Sequence, residues 1–275
     1  MTQAYFETLP SGIRYRHWEP VVEARATVLL IHGLGEHSGR YQNVAAALIA
    51  RGFAVVAPDH LGHGESPGHR VFVTHFDDYL EGVRECRQVL AKRYPSLPCF
   101  VLGHSMGGLI TGRLLLEDQD QYQGALFSGP AFAAGDVPPA PVMWIGRFLA
   151  KFLPRLGMLA LDGSAVSRDS AVVAAYQADP LVNHGKVTAG LGIAIFDAMD
   201  RVMAEAGSLS LPMLIMHGGA DTLAAPIGSE AFAAKVGATD VSLHILPGLY
   251  HEIFNEPEGE DIVGEYADWI EAHLS

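Results

Sequence analysis

The sequence predicts an α/β chain with a mostly parallel, eight-stranded sheet and one helical insertion. Three observations predict it. Short apolar runs rich in β-branched residues alternate with helical patterns along most of the chain. That rhythm breaks once, between Gly129 and Leu211, where no run reads as a strand and Pro138, Pro139, Pro141 and Pro154 punctuate helical pieces. One apolar run ends in Gly103-His104-Ser105-Met106-Gly107, a serine held between two glycines at a strand-to-helix junction.

Taken in order, strands are expected at residues 4–7 and 13–18, joined as an antiparallel hairpin through Pro10-Ser11-Gly12. Further strands are expected at 26–31, 54–57, 99–102, 124–127, 213–216 and 242–246, each bounded by turn-forming residues. Helices fall at 41–51, 76–94, 106–117, 227–236 and 261–273. The expected division is a core of residues 1–128 and 209–275, with residues 129–208 as a cap above the carboxyl edge of the sheet. No internal repeat or low-complexity tract interrupts it.

The G-x-S-x-G run is a nucleophile elbow, the sharp turn that exposes one hydroxyl in the α/β-hydrolase fold. Side chains at Gly103 and Gly107 would collide with neighbouring backbone, which is why glycine is needed there. A serine hydroxyl needs a base to take its proton and an acid to hold that base, and in this fold they follow in the order Ser, Asp or Glu, His. Asp221 lies in the Gly-containing loop after the strand at 213–216, and His251 follows the strand at 242–246. His217 and His244 sit on strands and read as structural, His273 as solvated in the last helical turn, and Asp240 as a turn residue. Two backbone N–H groups should complete an oxyanion hole, one from Met106 and one from Leu34 in the Gly-flanked loop after the strand at 26–31.

Three runs carry a family resemblance: His32-Gly33-Leu34-Gly35-Glu36-His37-Ser38-Gly39-Arg40-Tyr41, Pro58-Asp59-His60-Leu61-Gly62-His63-Gly64-Glu65-Ser66, and the elbow. With Val166-Ser167-Arg168-Asp169, Ala178-Asp179-Pro180-Leu181 and Tyr250-His251-Glu252 in matching order, nearly the whole chain resembles the monoacylglycerol lipase family of α/β-hydrolases. The resemblance implies hydrolysis of glycerol monoesters of fatty acids through an acyl-serine intermediate, with no metal or organic cofactor. It also implies that Glu36, Arg40, His104 and Tyr176 face the glycerol end of the substrate. Each has a plainer reading: an ion pair four residues apart for Glu36 and Arg40, support of the elbow for His104, a turn cap for Tyr176. Asp59, His60 and Asp179 read as loop-shaping residues.

In the cap, Arg147, Lys151 and Arg155 recur every four residues beside a stripe of Trp144, Phe148 and Phe152. Two readings stay open: a basic amphipathic helix resting on a lipid surface, or a cap helix packed on the core. Met158, Leu159, Leu161, Ile193, Ile195, Phe196 and Met199 are candidates for an apolar acyl channel, or for core.

Composition narrows the classes. A chain of 275 residues that is 49% hydrophobic can bury one sizeable core plus an insertion. A formal net charge of −13 argues against a nucleic-acid partner and against general adsorption to anionic membrane. Cys86 and Cys99 fall on a helix and a buried strand, which suits free thiols. Without a signal-peptide pattern or a long uncharged apolar run, the expected location is cytoplasmic, peripheral to membrane if the cap binds lipid. A lipid ester presented at a micelle or membrane surface is the expected partner. A general carboxylesterase, a lysophospholipase, a proline iminopeptidase-like hydrolase and a silent hydrolase-fold binding protein are the alternatives.

Overall fold

A computed structural model describes residues 4–135, 139–160 and 162–274. Pro138 and Leu161 therefore lie outside the described residues. The chain begins with the hairpin β1 (Tyr5–Thr8) and β2 (Arg14–Trp18), then β3 (Ala26–Ile31), α1 (Gln42–Ala50), β4 (Phe53–Pro58), α2 (Asp78–Arg93), β5 (Cys99–His104), α3 (Met106–Asp118) and β6 (Gly124–Ser128). The insertion carries α4 (Ala140–Phe152), β7 (Gly157–Ala160), α5 (Ser170–Ala178), β8 (Lys186–Thr188) and α6 (Ala189–Glu205). The sheet resumes with β9 (Met213–Gly218), α7 (Pro226–Ala233), β10 (Val241–Leu246) and the closing helix α8 (Gly259–Ala272).

Eight strands form one sheet in the order β1-β2-β4-β3-β5-β6-β9-β10. Strands β4, β3, β5, β6, β9 and β10 run parallel, while β1 and β2 join antiparallel at one edge. Every residue of β3, β4 and β5 is buried, as expected of parallel strands covered on both faces. Side chains alternate between two cores: Leu29 and Ile31 pack toward α2 and α3, Val28 and Leu30 toward α1 and α8. This sandwich sets the function-bearing loops after β3, β5, β9 and β10 along one carboxyl edge.

Four expectations need correction. First, β5 and β9 run on to His104 and Gly218, beyond the apolar runs, because pairing continues through Gly103↔Phe127, His104↔Ser128 and Leu246↔Gly218. Second, the insertion contains strands after all. β7 and β8 are an antiparallel pair of three to four residues each, held by cross-strand pairing rather than announced by apolar alternation. Third, α4 stops at Phe152 because Leu153 precedes Pro154 and leaves the helical region, at φ −134° and ψ 55°. Arg155 thus leaves the helical row and lies over the Phe72 ring instead.

Fourth, His273 is half-buried and paired rather than free in solvent. Its Nε2 lies 3.1 Å from Asp240 and its ring stacks on Trp269 at 3.8 Å. In the insertion, Leu191, Ala198, Met199 and Val202 of α6 are buried in the core that α3 shares, so this helix is tied to the sheet layer. Helix α4 is the opposite: Trp144 is 71% exposed, and Val142, Ile145, Phe148 and Phe152 are exposed as well. Its stripe does not pack on the core.

Candidate active site

The elbow follows from what surrounds it. Ser105 has φ 55° and ψ −122°, one of two non-glycine residues with positive φ among those described. The turn is held by Ser105 N–H donating to Ser128 O at 3.0 Å, and Ser105 O accepts from Gly108, Leu109 and Ala131 N–H. A Cβ at Gly107 would stand 2.1 Å from Ile31 O, and one at Gly103 2.5 Å from Gly107 O. Both obstacles are backbone, so only glycine fits.

His251 Nδ1 lies 2.6 Å from Asp221 Oδ2 and His251 Nε2 lies 2.8 Å from Ser105 Oγ. A carboxylate accepts only, so Nδ1 carries the proton and Nε2 accepts the serine hydroxyl. The two loops can meet because Gly218 has no side chain: a Cβ there would be 2.1 Å from Tyr250 O. Asp221 Oδ1 accepts from the N–H groups of Leu223 and Ala224, at 2.8 and 3.0 Å. Burial works to raise the Asp221 carboxyl, but the charge on His251 and bonds from His217, His251 and Ala224 outweigh it and hold it far below the usual range. Burial works to lower His251, yet Asp221, with Glu252 and Glu36, lifts it above its ordinary 6.5.

The loop after β3 lies against the serine. A Cβ on Gly33 would be 3.1 Å from Ser105 Cβ. Gly33 N–H donates to Glu36 Oε1 at 2.7 Å and is committed there. Leu34 N–H has no acceptor among the described residues, and Met106 opens α3, where helix geometry leaves N–H groups without an intrahelical partner. Pairs of this kind suit a developing oxyanion.

The residues expected at the glycerol end form a buried polar network. Glu36 Oε1 also accepts from Tyr41 Oη at 2.6 Å, and Oε2 from Arg40 at 2.7 Å. Arg40 grips Glu252 through both guanidinium nitrogens, at 2.6 and 2.7 Å, and stacks over the Tyr176 ring. Arg40, Tyr176, Asp179 and Asn255 line a crevice of about 230 Å³. His104 sits with its ring 4.8 Å from that of His251 and its Nδ1 3.1 Å from Ser128 Oγ. Burial, helped by repulsion from His251, pushes His104 down to about 3, so it is neutral at physiological pH. Asp179 pairs with His37, and Asp59 accepts from Ser38 N–H, consistent with loop-shaping roles.

Two residues here were missed by motif reading. Glu252 closes the run Tyr250-His251-Glu252, but no role could be read for it there; its ion pair with Arg40, 212 positions away, shows what it does. His217 was legible as a histidine in a strand, and its contact with Asp221 Oδ2 at 3.0 Å appears only once the strand ends and the loop folds back. Among the described residues no group of three or more His, Cys, Asp or Glu side chains has the arrangement of a metal site. A second cleft of about 490 Å³, between α4, α6 and residues 72–77, is lined by none of Ser105, Asp221, His251, Glu36, Arg40, His104 or Tyr176.

Comparison with known proteins shows the family. The family described as "Serine aminopeptidase, S33" matches residues 22–258. The chain is 40% identical over 265 residues to a monoacylglycerol lipase of Mycolicibacterium smegmatis, covering 96% of this chain and 95% of that protein. It is 33% identical over 242 residues to the human monoglyceride lipase, covering 88% and 80%. A crystal structure of Paleococcus ferrophilus monoacylglycerol lipase superposes with a TM-score of 0.86 at 32% identity, over 95% of this chain and 99% of that one. The chain belongs to the monoacylglycerol lipase family of serine hydrolases with the α/β-hydrolase fold.

Proposed function

We propose that the protein hydrolyses monoacylglycerols to fatty acid and glycerol, with Ser105 as nucleophile, His251 as base and Asp221 as its support. The observation that carries the reading is the unbroken chain Ser105 Oγ, His251, Asp221, at 2.8 and 2.6 Å. Ser105 Oγ attacks the ester carbonyl as its proton passes to His251 Nε2, and the oxyanion is met by the N–H groups of Leu34 and Met106. His251 returns the proton to the glycerol oxygen as the ester bond breaks. Water then attacks the acyl-serine, gives its proton to His251, and releases the fatty acid while Ser105 is reprotonated.

The alcohol side is read at the crevice of Arg40 and Tyr176, with Glu36 holding Arg40 from behind and His104 supporting the His251 ring. Access from a lipid surface is supported by α4, whose exposed Trp144, Phe148 and Phe152 neighbour Arg147 and Lys151. No helix among the described residues is long and apolar enough to cross a membrane. Such contact is therefore proposed as a one-face docking of the cap.

The test is the initial rate on a matched set: a monoacylglycerol, the corresponding di- and triacylglycerol, a lysophospholipid and a simple alkyl ester, with Ser105→Ala as blank. A strong preference for the monoacylglycerol is expected. Equal or faster turnover of the alkyl ester would reduce the assignment to a general carboxylesterase, and activity in Ser105→Ala would remove the nucleophile.

A further inference from the structure

Asp221 Oδ2 serves two imidazoles, not one. His251 Nδ1 approaches it at 2.6 Å and His217 Nε2 at 3.0 Å. His217 is completely buried at the end of β9. Its Nε2 also lies 3.1 Å from Ala224 O, and since both neighbours are acceptors, that nitrogen carries a proton. Its Nδ1 lies 2.7 Å from Ser229 Oγ on α7 and accepts the hydroxyl, which fixes the tautomer.

The orientation of the carboxylate does not depend on this bond, because Oδ1 is already held by two backbone N–H groups. What His217 adds is a second donor on the one oxygen that holds His251. Two N–H groups on one oxygen weaken each other, and the positive end of the His217 N–H faces the site where the imidazolium charge develops. We propose that His217 is a positioning residue that acts through Asp221, sharing Oδ2 so that the carboxylate holds the proton of His251 less tightly and the base stays free nearer to neutrality.

Other groups face His251: Glu252 beside it in the chain, Glu36 from the loop after β3, and His104 and Ser105 from the end of β5. None of them touches Oδ2 of Asp221. The effect of His217 is thus separable from theirs. The inference rests on the reading of Ser105, His251 and Asp221 given above.

The experiment is the pH dependence of kcat/KM on a soluble glycerol monoester for His217→Leu, His217→Gln and Ser229→Ala, with NMR titration of His251 in the Ser105→Ala background of each. In His217→Leu the acid limb should move up by about 0.5–1 pH unit, which lowers kcat/KM on the acid side about three- to tenfold with KM unchanged. His217→Gln, whose amide offers an N–H at nearly the same place, should return most of the shift. Ser229→Ala, which removes only the tautomer anchor, should shift the limb the same way by less, and it carries the test if the leucine variant does not fold. A limb that stays in place or moves down, or identical profiles for Leu and Gln, overturns the proposal. The NMR arm reads His251 without turnover, so an active Ser105→Ala would sink the functional reading and leave this one to stand or fall separately.

Discussion

Arg40 and Glu252 face each other across the site in a two-pronged ion pair, both side chains at most 10% exposed. The pair joins the loop after β3, which carries Leu34, to the loop that carries His251. Removing Arg40 leaves Glu252 and Glu36 buried without their shared counter-charge, at a cost of about 3–5 kcal/mol, whereas removing Glu252 leaves Arg40 its pair with Glu36 and should cost less. Glu252→Ala and Arg40→Ala should each lower the midpoint of thermal unfolding by several degrees and reduce kcat, while the double variant should cost less than their sum. Additive losses in a double-mutant cycle would show that the two act separately.

Gly107→Ala tests the elbow. Its Cβ would lie 2.1 Å from Ile31 O, and backbone in the middle of a parallel sheet has nowhere to go. The expected result is loss of more than about 3 kcal/mol of stability or no soluble protein. Denaturant titration that gave the wild-type midpoint would mean that α3 can slide from β3. Gly248→Ala is a contrast, since no atom lies within 4 Å of the built Cβ and only its positive φ of 78° is in question. About 1 kcal/mol is expected there.

Activity and stability should respond to pH in opposite senses at His251. Its value is lifted above 6.5, so neutral base disappears as pH falls through that raised value and kcat/KM should fall with it. The stabilising Asp221–imidazolium contact follows the reverse course, fully present below 6.5 and lost as pH rises through the raised value. A pH–rate profile whose acid limb lay below 6.5 would contradict the assignment.

The buried histidines act on stability in the acid range. Burial pushes His60 down to about 3 and His63 to about 4, with repulsion from His63 adding to the first shift and the charge of Arg70 to the second. The unfolded chain takes up protons below about 6.5 while the fold does not, so stability drops as pH falls from there toward 4. Each such histidine contributes up to about 1.4 kcal/mol per pH unit over that window. Urea midpoints at pH 7 and pH 4.5 should differ accordingly, and His63→Phe should flatten the difference. Equal midpoints would mean the histidines are hydrated in the fold.

The exposed face of α4 predicts a split between substrates. Trp144→Asp and Phe148→Asp should slow turnover of monoacylglycerol in micelles or vesicles and leave a soluble short-chain ester nearly unaffected, because neither side chain touches the core. Equal effects on both would place the helix in the substrate path instead.

Much of this protein is written locally. Parallel strands buried on both faces must be continuous apolar runs, so β3, β4, β5, β6 and β9 could be read within a residue or two. The G-x-S-x-G spacing is dictated by steric contact within a few residues of the turn, and the order of Ser105, Asp221 and His251 by the succession of strands. The short strands β7 and β8 were not readable, because three or four residues paired across an insertion leave no period to detect.

Which polar groups share an atom is settled only when the elements approach one another in space. Nothing in the spacing of His217, Asp221, Ser229 and His251 says that two imidazoles meet one carboxylate oxygen, since that depends on how closely β9 and the loop after β10 approach at Gly218. Likewise spacing offered Glu36 and Arg40 as a pair and resemblance set Tyr176 beside them, but folding added Glu252 and laid Arg40 over the Tyr176 ring. Apolar periodicity is set by each element alone and survives in the sequence; hydrogen bonds between elements are set by their approach, to within a few tenths of an ångström, and do not.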